Sequence, residues 1–302
     1  MTGFRRAYRA WESPGNFSFL KSDLGSCIHI VMRNIKGYIE HLSESLKSPD
    51  KQLSDLLSKE ETPPIERVKE LLQAGANVDG EGFLHSAPPL VWAATRGHLE
   101  VAKLLIDLGA NVNIYDHVDD TTPLHLAVQG GHDKIVRLLI DNGATIDARG
   151  GNEQTPLMDA CWDGKTDIVK ILIDAGANVN AKNQFGWFPL FYAAMSGHSE
   201  VAKILIDSGA DVDARIDKGE ITAQKRPAAP TAMIIALLEG HRETLRVLID
   251  SGATLRKSDL INAFDDDDEL QEFLKRESSW IPAEILKAFK EVNRSRGAFG
   301  RF

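Results

Sequence analysis

Cysteine is nearly missing from this chain: Cys27 and Cys161 are its only two in 302 residues. They lie in different segments and build no disulfide framework, which points to a reducing compartment, cytoplasmic with the nucleus as the alternative. Long hydrophobic runs are missing too. The longest, Ala232–Leu238, has seven residues, too few to cross a bilayer, so no membrane role is expected. Arg5, Arg6 and Arg9 could open a secretion signal, but no apolar run follows them. Positive charge is in deficit. A net charge of −9 argues against a nucleic-acid backbone as the main partner and fits partners with basic patches.

The constellations of catalysis are equally scarce. There is no glycine-rich phosphate loop ending in Lys-Ser/Thr, no Gly-X-Ser-X-Gly, no Cys-X-X-Cys and no His-Glu-X-X-His. Four of the nine histidines recur in Gly-His pairs at 97–98, 131–132, 197–198 and 240–241. A residue repeated once per unit reads as a scaffold device. Nothing basic in the sequence around Cys161 would activate its thiol, and the carboxylates read as scattered on outer, solvated helix faces. The expectation is no enzyme, no cofactor and no metal.

What the chain has is repetition. The stretch Thr121–Asp147 reads as helix, turn, helix, turn. Thr122 is the expected N-cap and Pro123 sits at a first-turn position, where its missing N–H costs nothing. Gly130 and Gly131 end the first helix. Ile135, Val136, Leu138, Leu139 and Ile140 give the second one apolar face, and Gly143 stops it. Gly-Ala pairs at 75, 109, 143, 176, 209 and 252 carry the pattern along the chain in steps of 34, 34, 33, 33 and 43 residues. A fixed period of this length marks a stacked solenoid, in which one unit cannot bury its own apolar face and needs its neighbours.

Thr122-Pro123-Leu124-His125-Leu126-Ala127, followed by Gly131-His132, Ile135-Val136, Leu138-Leu139-Ile140 and Gly143-Ala144, resembles the ankyrin repeat. The resemblance covers roughly residues 49–276. It implies an all-α ankyrin-repeat solenoid with an N-terminal capping helix and a helical C-terminal end. Residues 1–21 read as irregular. Leu24, Ile28, Val31, Ile35, Ile39, Leu42 and Leu46 form the stripe of an amphipathic helix over 22–47, read as a cap on the stack, with a coiled-coil or partner-binding helix as the alternative. The N-terminal segment is thus 1–48. Residues 49–79 form a degenerate first repeat. Five fuller repeats follow at 80–113, 114–147, 148–180, 181–213 and 214–256, and 257–302 forms capping helices and a tail.

The Thr-Pro start is kept at Thr122-Pro123 and Thr155-Pro156 but becomes Pro88-Pro89, Phe188-Pro189 and Thr231-Ala232 elsewhere, which is expected to weaken capping there. The last repeat carries a longer, basic loop over 214–230 with Lys218, Lys225 and Arg226, the kind of insertion that maps to loops and often to a binding side. The acidic run Asp265–Glu269 reads as a solvated turn between two short helices that also places negative charge at a helix start. The tail, opening at Ile281-Pro282-Ala283-Glu284-Ile285-Leu286, reads as an amphipathic helix frayed at Arg294, Arg296 and Arg301.

The resemblance implies binding to another protein along the concave side, formed by loop tips and first helices. Mapped onto this sequence, the variable positions there are Arg96, Tyr115, His117, Arg149, Trp162, Asp163, Gln184, Phe185, Trp187 and Met195, with Phe83, Val118 and Gln129 beside them. Large aromatics at such positions are what interface centres favour. For Trp162 and Trp187, packing against a neighbouring loop is an equal alternative; the expectation is that replacing both by alanine leaves thermal stability nearly unchanged. The reading is therefore a monomeric, non-catalytic scaffold or adaptor. Two alternatives remain: a ligase adaptor, because the start of the last helix faintly resembles an F-box, and a host-directed effector of a pathogen, since such effectors also use this fold. An enzyme or toxin centre in residues 1–48 is a third class, with few ionisable groups to support it.

Overall fold

The computed structural model describes residues 48–80, 87–116, 120–216, 230–256, 258–260 and 267–299, with side chains for all but 267–271 and 292–299. The 22–47 helix, Cys27, Phe83, His117, Val118, Asp265, Asp266, Arg301 and Lys218, Lys225 and Arg226 of the insertion lie outside the described residues.

Six helix pairs follow one another: α1 Pro49–Lys59 with α2 Ile65–Gln73, α3 Pro89–Arg96 with α4 Leu99–Asp107, α5 Pro123–Gln129 with α6 Asp133–Asp141, α7 Pro156–Trp162 with α8 Thr166–Asp174, α9 Pro189–Ser196 with α10 Ser199–Asp207, and α11 Ala232–Leu238 with α12 Arg242–Asp250. Two further helices close the described chain, α13 Asp267–Glu277 and α14 Ala283–Phe299. No strand forms among the described residues beyond the isolated antiparallel bridges Asp116–Thr121 and Arg215–Thr231.

The local chemistry explains the pairs. Proline opens five of the six first helices, at the position where it is tolerated. Ser48, Thr155 and Thr231 cap their helices by accepting the N–H three residues on. Pro88 and Phe188 provide no side-chain cap, as the degraded motif implies, whereas Thr231 caps fully although its proline is lost. Each second helix ends in a left-handed glycine. At Gly143, with φ of +86°, the turn lets Ala144 N–H reach the Leu139 carbonyl at 3.0 Å.

First helices stack on first helices and second on second. The first-helix row is lined by fully buried alanines, among them Ala93, Ala127, Ala160, Ala193 and Ala236. Without long side chains between them, neighbouring first helices meet along more of their length than the second helices do over the first five pairs. The seam between the rows is a continuous apolar core running from Leu53 and Leu57 through Leu90, Leu124, Leu157 and Leu190 to Ile235 and Leu248.

At the C-terminal end, Asp267, Asp268 and Glu269 open α13, as expected of negative charge at a helix start, while for these three residues the turn part of the expectation does not hold. Arg294 and Arg296 lie inside α14, which runs to Phe299. Phe273, Ile281, Ile285 and Phe289 are buried and join the common core, and the Arg242 guanidinium of α12 lies 5.1 Å from the Trp280 ring centre. The end helices thus seal the last pair.

Candidate functional site

Three hydrogen-bonded joints hold one repeat to the next and fix what is left to face outward. The first uses the recurring histidines. The Nε2–H of His132 donates to Thr95 O at 3.1 Å, that of His198 to Trp162 O at 3.0 Å and that of His241 to Met195 O at 3.0 Å. Lys165, which replaces histidine in one repeat, donates to Gln129 O at 2.8 Å. Each bond satisfies a carbonyl at the end of the preceding first helix, one of the groups a helix leaves unpaired. Gly97, Gly164 and Gly197 belong to the same joint, each lying against the histidine of the following repeat. A Cβ on Gly164 would stand 2.5 Å from the His198 ring, and one on Gly197 2.6 Å from His241. In the first full repeat Arg96 plays a comparable part, donating to Ser58 O at 2.6 Å.

The second joint follows the Gly-Ala turns and was not anticipated. Carboxylate or amide oxygens of Asp79, Asn113, Asp147, Asn180 and Asp213 accept the backbone N–H of Asn111, Thr145, Asn178, Asp211 and Thr254 in the next repeat, at 2.7–3.1 Å. The third joins the loop tips. Arg149 donates to Lys182 O at 2.6 Å, and Lys182 to Arg215 O at 3.2 Å. Arg215 ends the series with two bonds to the Asp259 carboxylate, at 2.8 and 2.9 Å. Burial alone would raise the Asp259 carboxyl; the Arg215 side chain and the Arg256 N–H hold it below the usual range. Gln184 is tied in similarly, its N–H and side-chain amide both donating to Asn152.

His125 belongs to the same kind of structure. Its Nε2 lies 3.1 Å from Gln154 O, a group that can only accept. Nε2 therefore carries the proton, and Nδ1 accepts from the Thr122 hydroxyl at 2.9 Å. Burial lowers the His125 pKa, keeping the ring neutral.

The face left over lies on the first-helix side. Two columns of positions, three residues apart on each helix, run along it: Trp92, Leu126, Asp159, Tyr192 and Ile235, of which the last three are buried, then Thr95, Gln129, Trp162, Met195 and Leu238, which are exposed or half-buried. Trp162 is the large side chain that stands out of it, with 47% of its surface exposed. Its ring meets Tyr192 edge-on at 5.8 Å. Tyr192 in turn meets Trp187 at 5.6 Å, and Trp187 packs on Phe185 and Phe191 at 5.6 and 5.2 Å. Trp187 and Phe185 are half-buried in this cluster, so replacing both tryptophans removes packing, and unchanged stability is no longer the expectation for the pair.

The other expected positions separate by role. Tyr115 is exposed at 42%. Asp163 is exposed and paired with Lys165. Met195 is half-buried on the same face as Trp162. Arg96, Arg149 and Gln184 are exposed but spend donors on the joints.

Asp159 corrects the expectation that the carboxylates are all solvated. It is 9% exposed and accepts from the Gln129 side chain at 3.0 Å and the Gln154 side chain at 3.5 Å. Burial pushes its carboxyl up to about 6. Gln154 also accepts from the Tyr192 hydroxyl, while Asn183 donates to that hydroxyl at 3.1 Å. One polar network thus crosses three repeats beneath the aromatic cluster. Comparing equivalent positions would have found it, because Asp159 is the one acid in a column otherwise made of Trp92, Leu126, Tyr192 and Ile235.

Cys161 is fully buried, and burial pushes its thiol further up. No group of three or more metal-ligating side chains forms among the described residues, and no helix among them is long and apolar enough to cross a membrane. The stretch Ile281–Leu286 turns Ile281 and Ile285 into the chain's own core.

Comparison with known proteins agrees with this geometry. A family model of ankyrin repeats in three copies matches residues 59–150 and 147–216, and one of ankyrin repeats in many copies matches 190–249. A search of curated proteins found no match. The matched residues make up more than half of the chain, which therefore belongs to the ankyrin repeat family, whose repeats are in general protein–protein interaction modules.

Proposed function

We propose that this chain is a non-catalytic scaffold or adaptor that holds a protein partner across its first-helix side, with Trp162 as the anchor. The observation that carries this reading is the setting of the Trp162 ring. It is exposed for nearly half its surface, yet it rests edge-on against buried Tyr192, and its own backbone carbonyl is held by His198. A ring ordered in advance loses little conformational freedom on contact, and tryptophan is prominent among residues that dominate binding energy. Around it lie the half-buried Leu126, Met195 and Leu238, which offer apolar area without a formed cavity. The partner is a protein rather than a nucleic acid, given the net charge of −9, and one copy of the chain suffices to present the face. The cysteine content favours the cytoplasm, with the nucleus as the alternative.

The test is partner capture with Trp162→Ala, followed by titration of the captured partner. A loss of about 2 kcal/mol or more in binding is expected, with the thermal midpoint close to that of the parent chain. Unchanged affinity would remove Trp162 from the interface and, with it, this reading.

A further inference from the structure

Asp159 is an unusual group to find on this face. It is nine-tenths buried, and both hydrogen bonds made to it come from neutral amides, Gln129 from the preceding repeat and Gln154 from its own. A carboxylate offers about four acceptor positions, so these amides leave it partly unsatisfied. Among the described residues no lysine or arginine forms an ion pair with it. The nearest cation, Lys165, is directed to Asp163 and to Gln129 O. The other charged or titratable groups near Asp159 are Asp163, Cys161 and the Tyr192 phenol, and none of them supplies positive charge.

The surroundings add a second preference. Tyr192 and the exposed Trp162 stand edge to face beside this carboxylate, one residue row away. A cation close to a carboxylate and an aromatic face is held by both. Arginine fits such a place better than lysine: its guanidinium is planar, stacks on rings, is more weakly hydrated and pairs with a carboxylate through two donors. Trp92, Leu126, Met195 and Leu238 continue the face on either side with half-buried apolar surface.

We propose that Asp159 is the anchor for an arginine side chain of the partner, and that apolar residues flanking this arginine in the partner cover the rest of the face. This rests on the protein-binding reading and names the chemistry of the partner that the reading leaves open. The arginine supplies the charge that Gln129 and Gln154 lack, and the amides hold the carboxylate in place before it arrives.

The experiment is selection from a random-peptide display library on the full chain, followed by affinity measurement of synthetic peptides. The expected consensus is an arginine set among apolar residues. Replacing this arginine by glutamine, or Asp159 by asparagine, is expected to weaken binding by about thirtyfold or more. The two changes together should cost little more than either alone. Asp159→Asn is close to isosteric, and its melting curve reports whether it folds. A consensus without arginine, or arginine peptides that bind Asp159→Asn as tightly as the parent, overturns the proposal. Peptides sensitive to Trp162→Ala but indifferent to Asp159→Asn would overturn the arginine anchor alone. Enriched peptides indifferent to both, or no enrichment, would overturn the wider reading as well.

Discussion

The Nε2 of His198 lies 3.0 Å from the carbonyl oxygen of Trp162, so the residue that presents the most exposed tryptophan ring among the described residues is also the one whose backbone the next repeat grips. Stacking and display meet in one residue. The ring faces outward because the main chain behind it is fixed.

Glycine substitutions separate the two parts of this joint. Gly143 and Gly164 both have positive φ, +86° and +69°, and alanine in that region costs about 1–2 kcal/mol. At Gly143 a Cβ would meet nothing within 4 Å, whereas at Gly164 it would stand 2.5 Å from the His198 ring. Gly164→Ala is therefore expected to lower stability in urea unfolding by clearly more than Gly143→Ala. Equal losses would mean that the histidine ring moves aside freely.

Acid should act on two buried groups in opposite directions. The Asp159 carboxyl is raised to about 6 by burial, so the folded chain holds a proton there that the unfolded chain has released. Its penalty is full above about pH 6 and fades as pH falls toward the ordinary carboxyl value. The His125 pKa is lowered by burial, so the unfolded chain takes up its proton first, and stability falls as pH drops below about 6.5. Asp159→Asn should thus raise stability at pH 7 by at most about 3 kcal/mol and remove the rising limb of the stability–pH curve. An unchanged curve would show that Asp159 is solvated.

Breaking the terminal ion pair should loosen the end of the stack. The Asp259 side chain is 2% exposed and its partner Arg215 is 30% exposed. Removing one member of a pair with a buried partner costs about 3–5 kcal/mol, less where one side meets water. Asp259→Asn is expected to cost about 2 kcal/mol at neutral pH. In the parent chain that contribution should be lost as pH falls below the ordinary carboxyl value through the depressed one of the folded state. Faster hydrogen exchange confined to the residues after Arg215 is the measurement.

The tail helix is expected to behave as core. Ile285 is 3% exposed, and Ile285→Asp would bury a charge with no partner, at a cost of about 3 kcal/mol or more. A thermal midpoint unchanged by this substitution would show that the Ile285 side chain is not part of the core.

Much of the architecture was legible because the signals were periodic. The Gly-Ala turns, the first-turn prolines and the Leu/Ile faces recur at one spacing, so local propensity and stacking agree. The turn-side joint escaped notice because its residue alternates between aspartate and asparagine, as at Asp79, Asn113 and Asp147. What is constant there is one acceptor oxygen, not one side chain. Asp159 was less legible for a related reason: it sits at a variable position, and its burial depends on what the preceding repeat brings, Gln129. Trp187 was left open between interface and packing, and it packs on Phe191 and Tyr192 of its own repeat. The start of α13 was only partly legible, because Asp267, Asp268 and Glu269 have loop composition as well as the charge that suits a helix start.

The antiparallel bridge between Arg215 and Thr231 closes the base of the inserted loop, and Thr254 still finds Asp213 at 2.8 Å beyond it. Alignment of the stack is therefore insulated from whatever lies between residues 217 and 229. That interval is a permissive port: a tag, a dye or a foreign peptide grafted there would ride on the scaffold without shifting the repeats on either side.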